Sequence, residues 1–267
     1  MIGMSFRFEE GSQWLQKASL SDAGLMFLFE NLLIFVLVLL MGDWLVRRYR
    51  HRQVTVPPAP LTRVEIVVAL ANVVLNTLIT LLGWQMWKHG LIRFRTDVGW
   101  AAMADVPALL LIMDLLMYWL HRVAHLRFLY PYMHLFHHRY ERVRPLTLFA
   151  LNPVENLGFG FLWLAVISVY PASWLGMSVY LALNVVFGAV GHLGVEPLPN
   201  WWVKTPVIRY LTGSSFHAQH HQDLHYNFGF YTLLWDRIFG TLRPDYHQCY
   251  GQIPMAECEK TPLSVIG

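Results

Sequence analysis

Eight of the chain's 13 histidines fall into three short clusters: His121 and His125; His134, His137 and His138; His217, His220 and His221. They read H-x-x-x-H, H-x-x-H-H and H-x-x-H-H. Residues three and four apart share one face of a helix, so each cluster is expected to point its imidazoles at one place. Neutral imidazole is the commonest protein ligand for metals and suits iron, zinc and copper. Eight converging imidazoles exceed what one ion takes. The pattern calls for two metals, or for one metal inside an outer ring of further imidazoles.

More residues extend these faces. His192, in G-H-L-G-V-E, follows an apolar segment and is a ninth candidate ligand. Glu196, four residues on, is a candidate ligand or a partner that orients one. His225 follows His221 by four and is a tenth candidate. Asp114, Tyr118, His121 and His125 are spaced by four, three and four, so they form one helical stripe. An aspartate at that depth in an apolar helix needs a partner, and Asp114 is expected either to orient a ligand or to bond a neighbouring helix. H-x-x-x-H with Glu at its second position would suit a zinc protease; here that position is Arg122, so no general base is supplied. His51, His89 and His247 stand apart from the clusters and are given no role.

The elements that hold these residues are set by composition. Hydrophobic residues make up 55% of the 267 and charged residues only 14%, against about 25% charged in a soluble domain. Mean hydropathy is +0.39. The chain therefore reads as a multi-pass membrane protein. Its net charge of +3 gives no footing for nucleic acid. Cys249 and Cys258 have no metal-ligand spacing and imply no disulfide framework. No cleavable leader is expected, because the first apolar run begins only near Leu25.

Residues 25–46, 64–87 and 100–120 are long enough to cross a hydrocarbon core of roughly 30 Å, and the third ends directly at His121. Residues 156–170 and 173–190 read as a hairpin of helices around Pro171, neither segment clearly a full span. Arg47, Arg48, Arg50 and Arg52 follow the first span; Arg122, Arg127, Arg139, Arg142 and Arg144 follow the third. Positive residues favour the cytoplasm, so both loops are expected there. The hairpin crosses an even number of times, and so returns the third cluster to the side of the first two. The expected fold is all-α: an integral membrane helical bundle with a cytoplasm-facing helical cap around a histidine-rich dimetal site. Residues 1–100 would anchor, 101–250 would carry the catalytic domain, and 251–267 would form a tail.

The ordered motifs resemble the fatty acid hydroxylase / sterol desaturase superfamily of integral membrane enzymes. They run D-x-x-x-Y-W-x-H-R-x-x-H at Asp114–His125, H-x-x-H-H at His134–His138, then His192, H-x-x-H-H at His217–His221, N-F-G at Asn227–Gly229 and L-W-D-R-I-F-G-T at Leu234–Thr241. The resemblance implies two non-haem iron ions (Fe2+/Fe3+), for which zinc can substitute in a purified sample. Their ligands would be His121, His125, His134, His137, His138, His192, His217, His220 and His221. It implies dioxygen as co-substrate and a lipid substrate, sterol or fatty acyl, reached from the bilayer. Two electrons would come from a donor, a cytochrome b5-like protein or a ferredoxin with its NAD(P)H reductase; Arg122 and Arg139 would face an acidic donor. The sequence departs from the family at Asn152, where relatives often carry histidine before the proline, and at His225, where many carry another polar residue.

Smaller features have structural readings. Asp236 and Arg237 are expected to pair and hold the C-terminal cap, and Asn227 either to bind metal through water or, the favoured reading, to cap a turn. Trp163, Trp174, Trp201, Trp202 and Phe216 are expected as interface anchors rather than as the lining of a lipid path. Three rival classes remain. A metal transporter would place its ligands near the bilayer midplane. A bis-histidine haem protein needs ligands set far apart on two spans. A structural zinc protein would usually use cysteine, four ligands per site.

Overall fold

A computed structural model describes residue 11 and residues 13–252 of the chain. The expected tail therefore lies almost wholly outside the described residues, and Cys258 with it. The architecture is all-helical; among the described residues only isolated bridges, and no strands, occur.

Five long helices build the bundle: α1 (Leu20–Arg48), α2 (Arg63–Lys88), α3 (Trp100–Ala124), α6 (Pro153–Val169) and α7 (Trp174–Gly191). Between α3 and α6 lie two one-turn helices, α4 (Tyr130–Met133) and α5 (Leu135–His138). After α7 come α8 (Ser214–Gln222) and α9 (Leu234–Ile238). Starts are set by side-chain caps that satisfy free amide groups. Ser19 accepts from Asp22 N, Thr62 from Glu65 N, Asn152 from Val154 N and Ser173 from Gly176 N. Asn152, the residue that departs from the family pattern, thus caps α6.

α1, α2, α3 and α7 are long and apolar enough to cross a membrane; α6 is shorter. The second half of the expected hairpin is therefore a span-length helix. α1 packs on α2, α2 on α6, and α3 on both α6 and α7. The α3–α7 crossing is close because Gly176 faces it. A Cβ added there would sit 2.5 Å from the Ala102 carbonyl oxygen, so even alanine would push the helices apart. A core of Leu109, Met113, Met117, Val166, Tyr180 and Tyr231 fills the space between α3, α6 and α7. On α2, Asn72 donates to the carbonyls of Phe149 and Leu151, tying the anchoring helices to the segment just before α6.

Candidate metal centre

The three clusters arrive from separate elements. α3 carries His121 in its last turn, and His125 is its C-cap. The second cluster does not lie on one continuous helix. His134, at φ −123°, is the joint between α4 and α5. The third cluster lies on α8, and His192 is the C-cap of α7.

Nine imidazoles meet in two groups. His121, His125, His134, His138 and His220 form one; His137, His192, His217 and His221 form the other. In each group one donor atom per residue lies within 4.8 Å of every other. Each H-x-x-H-H motif is thus split between the groups, instead of serving a single point as the helical-face reading expected. The break at His134, and the rotation of His220 around α8 by about 60° from His217 and about 100° from His221, cause the split. The groups adjoin: the rings of His138 and His221 are 4.5 Å apart, those of His134 and His137 5.3 Å.

Within the groups the ring nitrogens face one another. Nε2 to Nε2 is 2.9 Å for His121–His134 and 3.1 Å for His138–His220. In the second group it is 3.0 Å for His217–His192, 3.1 Å for His221–His137 and for His221–His217, and 3.4 Å for His192–His137. Two nitrogens on one ion at about 2.0–2.1 Å each are about 3 Å apart when they are neighbours in its coordination sphere.

The opposite edges of the rings fix the tautomers. Nδ1 of His121 lies 3.0 Å from the Phe228 carbonyl oxygen, Nδ1 of His220 2.7 Å from that of Tyr226, and Nδ1 of His192 2.8 Å from that of Gly188. A carbonyl only accepts, so Nδ1 carries the proton and Nε2 presents a bare lone pair. Lone pairs aimed at each other across 3 Å repel unless a cation lies between them. Nε2 of His125 is also buried without a hydrogen-bond partner. Burial holds His134, His137, His138, His217, His220 and His221 well below the usual imidazole range, and mutual repulsion lowers them further. His192 is brought to about 4 by burial, against the pull of the Gly188 carbonyl. Neutral imidazole is the ligating form. The donor set, its tautomers and its spacing fit two transition-metal ions.

Other expected residues fall elsewhere. His225 is outside both groups; its side chain is 89% exposed and its Nδ1 is 3.1 Å from Asp223. Asp114 is buried and touches no histidine. It accepts from the amides of Phe230, Tyr231 and Thr232 and from the Thr232 hydroxyl, and so anchors the chain segment whose Phe228 carbonyl holds His121. Glu196 accepts from the amides of Ser215 and Leu198, placing a carboxylate on the N-terminal end of the ligand-bearing α8, where helix polarity favours it. Asn227, at φ 62°, bridges Phe216, Gln219 and the Arg243 amide and fixes the turn.

Asp236 and Arg237 do not pair. Asp236 is fully buried and accepts from the amides of Phe228 and Gly229 and the Thr241 hydroxyl. Arg237 turns to His247 and lies over the Tyr210 ring. Neighbours on a short helix point apart, and the turn's free amides take the carboxylate. Trp163 and Phe216 are packing residues, not interface anchors: Trp163 stacks on Tyr180, and Phe216 is buried against Tyr246.

Glu155 was not expected. It sits in the first turn of α6, buried, with Oε1 2.7 Å from Nδ1 of His134. Its position beside the Asn152-Pro153 helix start reads as ordinary N-terminal acidity. Only the fold shows that it reaches a candidate ligand.

A multi-pass helical membrane protein with paired imidazole centres at one end of its bundle is the class these features define. The family model described as fatty acid hydroxylase matches residues 106–241, about half of the chain, and the chain belongs to that family. It is 34% identical over 151 residues to lathosterol oxidase of Mus musculus, covering 54% of this chain and 47% of that one. It is 26% identical over 144 residues to Delta(7)-sterol 5(6)-desaturase of Leptosphaeria maculans, covering 54% and 38%. A very-long-chain aldehyde decarbonylase of Oryza sativa subsp. japonica is 28% identical over 202 residues, covering 72% and 31%. The matched stretches span half or less of these curated relatives. No solved structure matches.

Proposed function

We propose that this chain is an oxygen-dependent, non-haem di-iron enzyme that hydroxylates or desaturates a lipid in the membrane. The observation that carries the reading is the convergence of nine neutral imidazoles, seven buried and two half-buried, into two adjoining groups. His121, His125, His134, His138 and His220 would hold one ion; His137, His192, His217 and His221 would hold the other. His225 is left out because it is exposed. Imidazole-rich sites also accept zinc, so a purified sample can carry it. When bound, two iron ions would activate dioxygen, with two electrons from a donor, for attack on an unactivated C–H bond.

The protein's own part is position and exclusion of water. The carbonyls of Phe228, Tyr226 and Gly188 and the Glu155 carboxylate fix the rings, as partners of metal-bound histidines do generally. Asp114 and Asp236 fix the loop that supplies the first of those carbonyls. Phe228 and Phe230 pack on the His121 ring, and Phe159 packs on Phe230. The membrane-facing side of the site is therefore apolar, as a lipid substrate requires. Sterols and fatty acyl chains are favoured because the relatives are described as acting on sterols and very-long-chain aldehydes.

We place residues 1–100 as the anchor, 101–250 as the catalytic unit and the site on the cytoplasmic side, which the arginines after α1 and α3 favour. There an acidic electron donor, a cytochrome b5-like protein or a ferredoxin with its reductase, would meet the exposed Arg127, Arg139 and Arg142. Arg122 is less free, lying over Tyr118, Trp119 and Phe228. A transporter would need ligands at mid-span; these lie at helix ends and in the cap.

Lipid profiling of cells expressing the wild type against His137→Ala tests the proposal. A product heavier by one oxygen marks hydroxylation, and one lighter by two hydrogens marks desaturation. Identical lipid profiles under aerobic growth with iron would reject it.

A further inference from the structure

The segment from Tyr226 to Thr232 leaves the cap and enters the bundle. Its upper end holds two candidate ligands through the carbonyls of Tyr226 and Phe228. Its lower end is pinned to α3 by Asp114. There it delivers the Tyr231 hydroxyl into the apolar core between α3 and α7. That hydroxyl is 2.9 Å from the Tyr180 hydroxyl and 2.6 Å from Oδ1 of Asn184. Tyr180 and Tyr231 are almost fully buried.

Asn184 is the unfinished part of this cluster. One terminal atom of its amide pairs with Tyr231. Whichever way the amide is turned, the other has no hydrogen-bond partner among the described residues. Asn184 lies near the middle of α7, a helix long and apolar enough to span the membrane. A polar atom left without a partner at that depth costs about 1–3 kcal/mol. Its side chain is half-buried, so it stays open to contact from outside the core. The residue is eight positions before His192, which at 1.5 Å per residue is roughly 12 Å along the axis from the candidate metal centre.

We infer that Asn184, set by Tyr231 and Tyr180, is the specificity-determining polar contact for the substrate, and that it takes a hydroxyl carried on an otherwise apolar lipid. A hydroxyl both donates and accepts, so it satisfies the amide in either orientation. The contact sets which carbon lies at the metal centre, because hydroxyl and reacting carbon are held a fixed distance apart. The same segment that presents Tyr231 also holds His121 and His220, so occupation of the contact bears directly on the ligands. The inference rests on the lipid-oxidising reading for its meaning, but its binding test does not.

The test uses the full-length, metal-loaded protein in detergent and two lipid pairs: cholestanol against cholestane, and hydroxystearate against stearate. Affinity is read by fluorescence and product position by mass spectrometry, for the wild type, Asn184→Leu and Tyr231→Phe. The wild type should prefer the hydroxylated member of at least one pair by roughly tenfold or more. Asn184→Leu should lose that preference while keeping two metal ions per chain, and oxidation should spread over more than one carbon. Tyr231→Phe, which keeps the ring, should lose part of it. The inference is overturned if the wild type distinguishes neither pair, or if Asn184→Leu keeps the wild-type ratio. Should the preference be present and lost as expected while no lipid is oxidised, the contact stands and the enzymatic reading falls.

Discussion

His121 and His134 face each other with Nε2 atoms 2.9 Å apart, and each is held from behind, His121 by the Phe228 carbonyl and His134 by Glu155. Neither ring can turn away without losing its own anchor. The pair comes from α3 and from the joint between α4 and α5, so this one contact links the membrane bundle to its cap.

Removing one imidazole from either group should stop turnover while leaving the helices in the membrane. His220→Ala opens the five-histidine group and His137→Ala the four-histidine group; each should lower kcat/KM at least about 100-fold, beyond what loss of a ligand's supporting partner costs. His225→Ala should be indistinguishable from wild type, because its side chain is exposed, pairs with Asp223 and lies outside both histidine groups. Turnover in membranes, with carbonate extraction to verify insertion, checks all three. Normal activity in His220→Ala would remove it from the ligand set.

Glu155 should matter to the five-histidine group alone. Glu155→Ala removes the partner of His134 and should weaken binding of that group's ion by about 10–100-fold. Glu155→Gln keeps an acceptor but not the charge, and the loss should be smaller. Competition with a chelator, followed by metal analysis, separates one ion from two. Equal weakening of both would make Glu155 a general folding residue.

Asp236 should give the fold a pH dependence. Burial raises its carboxyl from 3.8 to about 6, against hydrogen bonds from Thr241, Phe228 and Gly229. Between those values the folded state binds more protons than the unfolded one, so this group's contribution falls as pH rises from about 4 through about 6. Asp236→Asn should flatten that slope. It should also cost about 1–3 kcal/mol, because an amide cannot accept from both Phe228 and Gly229 with separate oxygens. Thermal unfolding of both proteins from pH 4 to 7 reads the difference.

The spans were legible because a continuous apolar run of twenty residues has few alternatives. The nine imidazoles were legible because histidine is scarce and its clustering is not a packing pattern. The sorting of ligands was not. It depends on a break at His134 that no proline or glycine marks, and on the angle at which α8 meets the cap. Glu155 was hidden because an acidic residue in the first turn of a helix already has a local reason to be there. The anchoring carbonyls of Tyr226, Phe228 and Gly188 leave no mark in side-chain chemistry. Asp236 was misassigned because adjacency to Arg237 suggested a pair, whereas the open turn at Phe228–Gly229 offered buried amides.

The most direct test is the metal content of purified protein expressed with iron, counted against polypeptide by mass spectrometry of digested samples. Two transition-metal ions per chain are expected, falling to about one in His220→Ala and about one in His137→Ala. A wild-type protein that turns over lipid with no transition metal, or two ions retained in both variants, would contradict the paired imidazole centre.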